Sequence, residues 1–312
     1  MQEIKNIIPD QHKLLRRVSA IDKPPKCLWF QGDLPESWSE RPVVAIVGSR
    51  KPTEYGRNVT LRLASGLEAH GVIIVSGLAL GHDALAAQGA LDGGGTTIAI
   101  IGNGLKNIHP HTNQQLADKI LASGGAIISE YEPDAPVARW NFLERNRLIS
   151  ALSDVVIVVE AGEKSGTLNT AAHALSQNKE LMAVPGNITS PLSIGCNKLI
   201  ASGAGIVLGV NDVLEKLREI FYTRNGGEEV AKQITKSLQK NSGTDNPEFR
   251  KPIAKDDTAE TKILKLLGQG VIDGDEIMHS AKISVAEYNT TLTILEINGQ
   301  IRSLGANRWT LR

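Results

Sequence analysis

The residues of this sequence that could do chemistry sit in a few turns, each following a short apolar run. VVIVVEAGEKSGTLNTA, residues 155–171, ends in Lys164-Ser165-Gly166-Thr167. VVAIV ends in Gly48-Ser49-Arg50, and further runs end in Ser76-Gly77 and Gly102-Asn103-Gly104. A fourth run is followed by WNFLERNR, residues 140–147. Glycine lets backbone N–H groups approach a ligand closely, serine and threonine add donors, and arginine and lysine add charge. That combination holds phosphate. A Walker loop requires G-x-x-x-x-G-K-[ST], whereas Lys164-Ser165 precedes Gly166, so the turn is not a P-loop. A dinucleotide site requires G-x-G-x-x-G after the first strand and an acid closing the second. GSR and Ser76-Gly77 stand there instead, which disfavours nicotinamide. A nucleotide and the backbone of a nucleic acid both stay open.

The elements that must position these turns follow from the apolar pattern. Runs at 43–48, 72–77, 96–102, 126–130, 155–161, 180–185 and 205–209 are short, β-branched and apolar at successive positions. Strands buried on both faces read this way. Helix-compatible segments near 53–70, 81–91, 112–122, 142–152, 165–178, 193–203 and 211–221 alternate with them. The fold class expected is therefore α/β, an extended Rossmann-like doubly wound parallel sheet over 43–222, whose ligands bind at the carboxyl ends of the strands. Residues 1–42, with Trp29 and Trp38, are expected to form an extended lead-in that packs on the sheet. Residues 223–257 mix Gly, Asn, Pro and charge and are expected to be a linker. The pattern over 258–312, three short helices and an alternating hairpin, predicts a winged helix.

Composition narrows the function classes. Lys plus Arg and Asp plus Glu are each 34 of 312 residues, so no overall field recruits nucleic acid and any such site must be a local cluster. Cys27 and Cys196 lie far apart and make no metal or redox pattern, which suits a reducing cytoplasm. The absence of a signal sequence and of a twenty-residue apolar span predicts a soluble cytoplasmic protein with no membrane partner.

GSRKPTEYG, SGLALGHDALAAQGAL, FLERNRLISALSDVVIVVEAGEKSGTLNTA and VPGNITSPLSIGCNKLIASGA together resemble the DNA-processing protein A (DprA/Smf) family over about residues 20–215. The resemblance implies a dimeric protein that binds single-stranded DNA, protects it and helps load a RecA-type recombinase in natural transformation. It implies no catalytic residue, no cofactor and no metal. Single-strand binders need a cationic groove and a face for base stacking. Arg50, Arg145, Arg147 and Lys164 are expected in the groove, with Gly48, Ser49, Ser165, Gly166 and Thr167 donating to phosphate and Asn146 beside them. Phe142 is the expected stacking residue, and Asn197 and Lys198 are weaker additions. The chain departs from the family pattern at Leu80, where arginine is usual, at His82, where isoleucine is usual, and at Ala86-Ala87, His109-Pro110 and Leu143.

Structural roles compete with these assignments. Arg145 and Arg147 could pair with Glu144 or Glu163, and Phe142 could be a core residue. Asp83 reads as a helix cap or core-network residue, and His82, His109 and His111 as structural or solvated. Glu160 could orient a basic neighbour. One rival function is an enzyme of the cytokinin-activating phosphoribohydrolase type, whose motif P-G-G-x-G-T-x-x-E relies on its glutamate. Thr170 stands at that place, which disfavours it. A nucleotide-binding sensor is the other. In the tail, 284–297 (SVAEYNTTLTILEI) has no Lys or Arg, so its third helix predicts a protein-contact or regulatory role rather than duplex DNA binding.

Overall fold

A computed structural model describes residues 3–223, 227–241, 259–268, 271–281, 283–297, 300–305 and 307–311. In chain order the first part is β1 (Lys5–Ile7), β2 (Leu28–Gly32), β3 (Val43–Val47), α1 (Glu54–Glu68), β4 (Ile73–Ser76), α2 (His82–Asp92), β5 (Thr97–Ile101), α3 (Gln114–Ala122) and β6 (Ala126–Ser129). It continues with α4 (Arg139–Leu152), β7 (Val155–Val158), α5 (Thr167–Ser176), β8 (Glu180–Ala183), α6 (Ile194–Ala201), β9 (Gly205–Ile206), α7 (Val210–Thr223) and α8 (Glu228–Asn241). The last part is α9 (Ala259–Gly268), α10 (Gly274–Ala281), α11 (Val285–Ile297), β10 (Ile301–Gly305) and β11 (Arg308–Leu311).

Alternate residues of each central strand enter different cores, which explains why the runs are apolar at successive positions and do not alternate. Val43, Ala45 and Val47 pack on one face of the sheet, while Val44 and Ile46 pack on the other. Val156 and Val158 divide from Val155 and Ile157 in the same way. The nine strands run β1-β2-β6-β5-β4-β3-β7-β8-β9. From β6 to β9 every pairing is parallel, and the seven expected strands all lie in this stretch. The order reverses direction at β3, between β4 and β7, and such a switch point opens a crevice at the strands' carboxyl ends.

Two segments differ from expectation. The N-terminal lead-in does more than pack on the sheet: β2 pairs antiparallel with β6, and β1 pairs with β2. β1 is a short, mostly exposed edge strand and β2, between it and β6, is partly buried, so neither shows the apolar run of a central strand. Leu14, Leu15, Val18 and Trp38 from the same region are buried in the core. Within the expected linker, 228–241 forms α8, whose Ala231 and Ile234 join the core that includes Val213, Leu217 and Phe221 of α7. Val230, Ile234 and Leu238 recur every four residues, one helical stripe between charged neighbours. Residues 242–258 lie outside the described residues.

The chain divides into two compact units, Met1–Phe249 and Arg250–Arg312. In the second, α9, α10 and α11 bury Ile263, Leu267, Ile277, Tyr288, Leu292 and Leu295 around a separate core, and β10 pairs antiparallel with β11. This is the expected winged helix. Among the described residues no helix is long and apolar enough to cross a membrane.

Candidate functional site

A cleft of about 780 Å³ opens at the switch point. Three segments form most of its wall: the turn after β3 with Gly48, Ser49 and Arg50, the first turns of α4 with Arg139, Phe142 and Asn146, and the start of α5 with Ser165, Gly166 and Thr167. The β3 turn is held from below. Ser49 N–H donates to the Glu160 carbonyl at 2.8 Å, and the Ser49 carbonyl accepts from His82 N–H at 3.3 Å. Gly81 makes this docking of α2 possible. Its φ of +80° suits glycine, and a Cβ there would overlap the Ser49 carbonyl.

Arg50 is exposed at the mouth, its guanidinium carbon 5.5 Å from the centroid of the Phe142 ring. The His109 ring lies 5.7 Å from the same ring at 38°. Phe142 is therefore a half-buried cleft wall and not a core side chain. At the start of α5 the Ser165 hydroxyl accepts from Thr167 N–H at 3.2 Å and donates to Thr167 Oγ1 at 3.0 Å. Ser165 is thus committed to its own turn, which leaves the Thr167 hydroxyl hydrogen for a ligand. Thr170, 2% exposed, lines the cleft one helical turn on.

One layer down the arginines behave differently. Arg145 is 3% exposed, its Nη1 donating to the Ile100 carbonyl while its Nε has no partner. The Asp83 carboxylate, also buried, neighbours it, and a Cβ on Gly77 would overlap both groups. Burial pushes the Asp83 carboxyl above its ordinary value, and the Arg145 charge opposes that shift. Arg145 is the floor of the cleft, while Arg147 has left it. Its side chain pairs with Glu130, both about one-eighth exposed, and neither Glu144 nor Glu163 is its partner.

The remaining sequence candidates are scattered. Lys164 is exposed on the α5 turn but is not part of the cleft wall. Asn146 is in the wall, with its amide donating to Asn169 Oδ1 at 3.2 Å. Asn197 braces the neighbouring loop through the N–H and carbonyl of Gly186, and Lys198 pairs with Glu163 at 2.6 Å on the surface. Among the residues outside the expected set that enter the wall, Arg139 adds a cation and His109 a ring. Arg139 immediately precedes the WNFLERNR segment, which is a signal the sequence carried. His109 becomes visible as a site residue only when its loop folds against Phe142.

A second buried network supports the β3 turn. Glu160, just past β7, accepts from Thr53 N–H at 2.9 Å and from the Thr53 hydroxyl at 2.5 Å, and it meets His82 Nε2 at 3.1 Å. His82 is fully buried, with Nδ1 2.6 Å from the Thr60 hydroxyl. Two influences act on its protonation. Burial lowers its pKa, the hydrogen bond and charge of Glu160 raise it, and burial prevails. The neutral ring donates Nε2–H to Glu160, and its Nδ1 shares the Thr60 hydroxyl hydrogen with the Gly56 carbonyl, 2.8 Å from the same oxygen. The basic neighbour that Glu160 orients is His82.

Residues 5–218 match the family model for DNA recombination-mediator protein A, and 247–307 match that for the DprA winged helix domain. DNA processing protein DprA of Bacillus subtilis is 40% identical over 208 residues, 66% of this chain and 69% of the relative. Protein Smf of Synechocystis is 33% identical over 324 residues, 98% of this chain and 80% of the relative. A solved structure of DNA processing protein A from Helicobacter pylori, described for its single-stranded DNA binding mode, superposes with a TM-score of 0.62 at 34% identity, covering 70% of this chain and 99% of that one.

Proposed function

The chain belongs to the DNA recombination-mediator protein A (DprA/Smf) family, and on that premise we propose that its cleft binds single-stranded DNA. One observation carries the reading: Arg50 stands over the face of Phe142 at the cleft mouth, 5.5 Å from the ring centroid. Phosphate needs a cation, and an unpaired base needs an aromatic face. Here the two lie side by side. Arg139, the Thr167 hydroxyl and the start of α5 supply further phosphate donors, and Asn146 adds an amide. A half-buried ring in a cleft of this size is accessible to an unpaired base but not to the stacked interior of a duplex.

The role that fits is binding without catalysis. The strand is held for a RecA-type recombinase by a cytoplasmic homodimer, the arrangement the family resemblance implies. In this proposal the winged helix contacts protein, since Val285 and Ile294 of α11 are exposed and 284–297 has no Lys or Arg. The reading is tested by titrating labelled single- and double-stranded oligonucleotides at two salt concentrations. Single strands are expected to bind more tightly, and the affinity to fall with salt. Equal affinity for duplex, or complete displacement by millimolar AMP or ATP, would overturn it in favour of a duplex binder or a nucleotide sensor.

A further inference from the structure

The first turn of α4 carries two aromatic side chains with opposite fates. Phe142 turns into the cleft, whereas Trp140 is 69% exposed. The tryptophans at 29, 38 and 309 are all half-buried or buried. Trp140 does not stand alone. Val137 and Leu143, 45% and 49% exposed, line the cleft mouth on either side of it in sequence, and Leu143 is its i+3 neighbour on the helix. Arg139, exposed and in the cleft wall, precedes it. The apolar rim thus continues a cleft whose charged groups are Arg50, Arg139 and Arg145 against Asp83. A cationic surround favours a polyanion that also presents flat apolar faces over an apolar protein surface.

We propose that Trp140 is a second stacking platform, holding the base next to the one on Phe142 while the intervening phosphate meets Arg139. The proposal rests on the single-strand reading above and extends its site by one nucleotide. Residues two apart on a helix have Cα atoms about 5.4 Å apart, and their side chains do not face each other. Bases held by Phe142 and Trp140 are therefore pulled apart from each other. In a duplex, neighbouring bases of one strand stay stacked at about 3.4 Å. The pair of platforms adds a preference for a strand whose neighbouring bases are unstacked to the preference for an unpaired base that Phe142 provides.

The test uses the full chain with Trp140→Ala, Trp140→Phe and Trp140→Leu, titrated with a labelled oligo(dT) by fluorescence anisotropy. Trp140→Ala is expected to bind roughly 5- to 150-fold more weakly, the range for loss of one stacked base. Trp140→Phe should stay within about threefold of wild type, Trp140→Leu should be as weak as alanine, and oligo(dT) should quench a tryptophan emission that Trp140→Ala lacks. Wild-type affinity in Trp140→Ala would overturn the proposal and leave the single-strand reading standing. Rescue by leucine as full as by phenylalanine would overturn it too, since simple apolar contact would then suffice. A loss of self-association in sedimentation that tracks the loss of affinity would assign the rim to a second copy of the chain instead. If wild type itself fails to bind oligo(dT), the single-strand reading falls and this proposal with it.

Discussion

Arg50 and Arg145 are the same residue type, line the same cleft and do different work. Arg50 stands exposed over an aromatic ring at the mouth. Arg145 is 3% exposed on the floor, committed to a backbone carbonyl and to the charge of Asp83. A guanidinium in water can exchange solvent for a ligand phosphate at little cost. One inside the protein exists only because partners offset its desolvation, so its removal strands those partners. Charge alone does not separate a candidate ligand contact from a structural group; the layer in which the charge sits does.

The largest effect should come from the floor. Arg145→Ala leaves the Asp83 carboxylate buried without its opposite charge, and a loss of about 3–5 kcal/mol in urea-unfolding stability is expected. A variant as stable as wild type would erase the distinction between the layers. At the mouth the expected loss is in affinity. Phe142→Ala should weaken single-strand binding by about 1–3 kcal/mol. Its stability should fall by less than the 3–5 kcal/mol typical of a core phenylalanine, because the ring is half-exposed. Measuring both quantities on one protein separates wall from core.

His82 sharpens the comparison from the buried side. Its pKa is lowered in the fold, so the unfolded chain takes up a proton near the ordinary value of 6.5 while the folded chain does not. Stability must then fall as pH drops below about 6.5, by at most about 1.4 kcal/mol per pH unit for one proton. His82→Leu should remove this component, seen as a smaller difference in urea midpoint between pH 7.5 and pH 5.5. An unaltered difference would mean that other groups carry it. The smallest expected change belongs to Arg50. Arg50→Ala should leave stability unchanged and reduce the slope of log affinity against log salt by roughly 0.7, the signature of one lost phosphate contact on a single strand. An unchanged slope with normal folding would remove Arg50 from the site.

The legible and illegible parts of the fold divide by burial. Strands such as VVAIV were readable because burial on both faces favours apolar residues at successive positions. The edge strand KNI and its neighbour LWFQG were not, because incompletely buried strands tolerate polar residues wherever the backbone pairs. Helix α8 carried a readable stripe at Val230, Ile234 and Leu238, but its surroundings of Gly, Asn and charge masked it. Of the expected site residues, the GSR turn after β3, Phe142 of α4 and Ser165-Gly166-Thr167 at the start of α5 do line one cleft, while Lys164 of the same turn stays outside its wall.

What the sequence determined by itself was the sheet, the end of the sheet where the cleft opens, the winged helix and the family. These rest on local periodicity and on motifs contiguous in the chain. Tertiary structure decided which of the basic residues faces solvent. Arg145 went inside to Asp83 of α2, Arg147 paired with Glu130 after β6, and Lys198 paired with Glu163, while Arg139 and His109 joined the wall. Each of those pairings depends on a partner from another element. The desolvation that fixes a buried charge is set by everything packed around it, and residue spacing along the chain does not encode that.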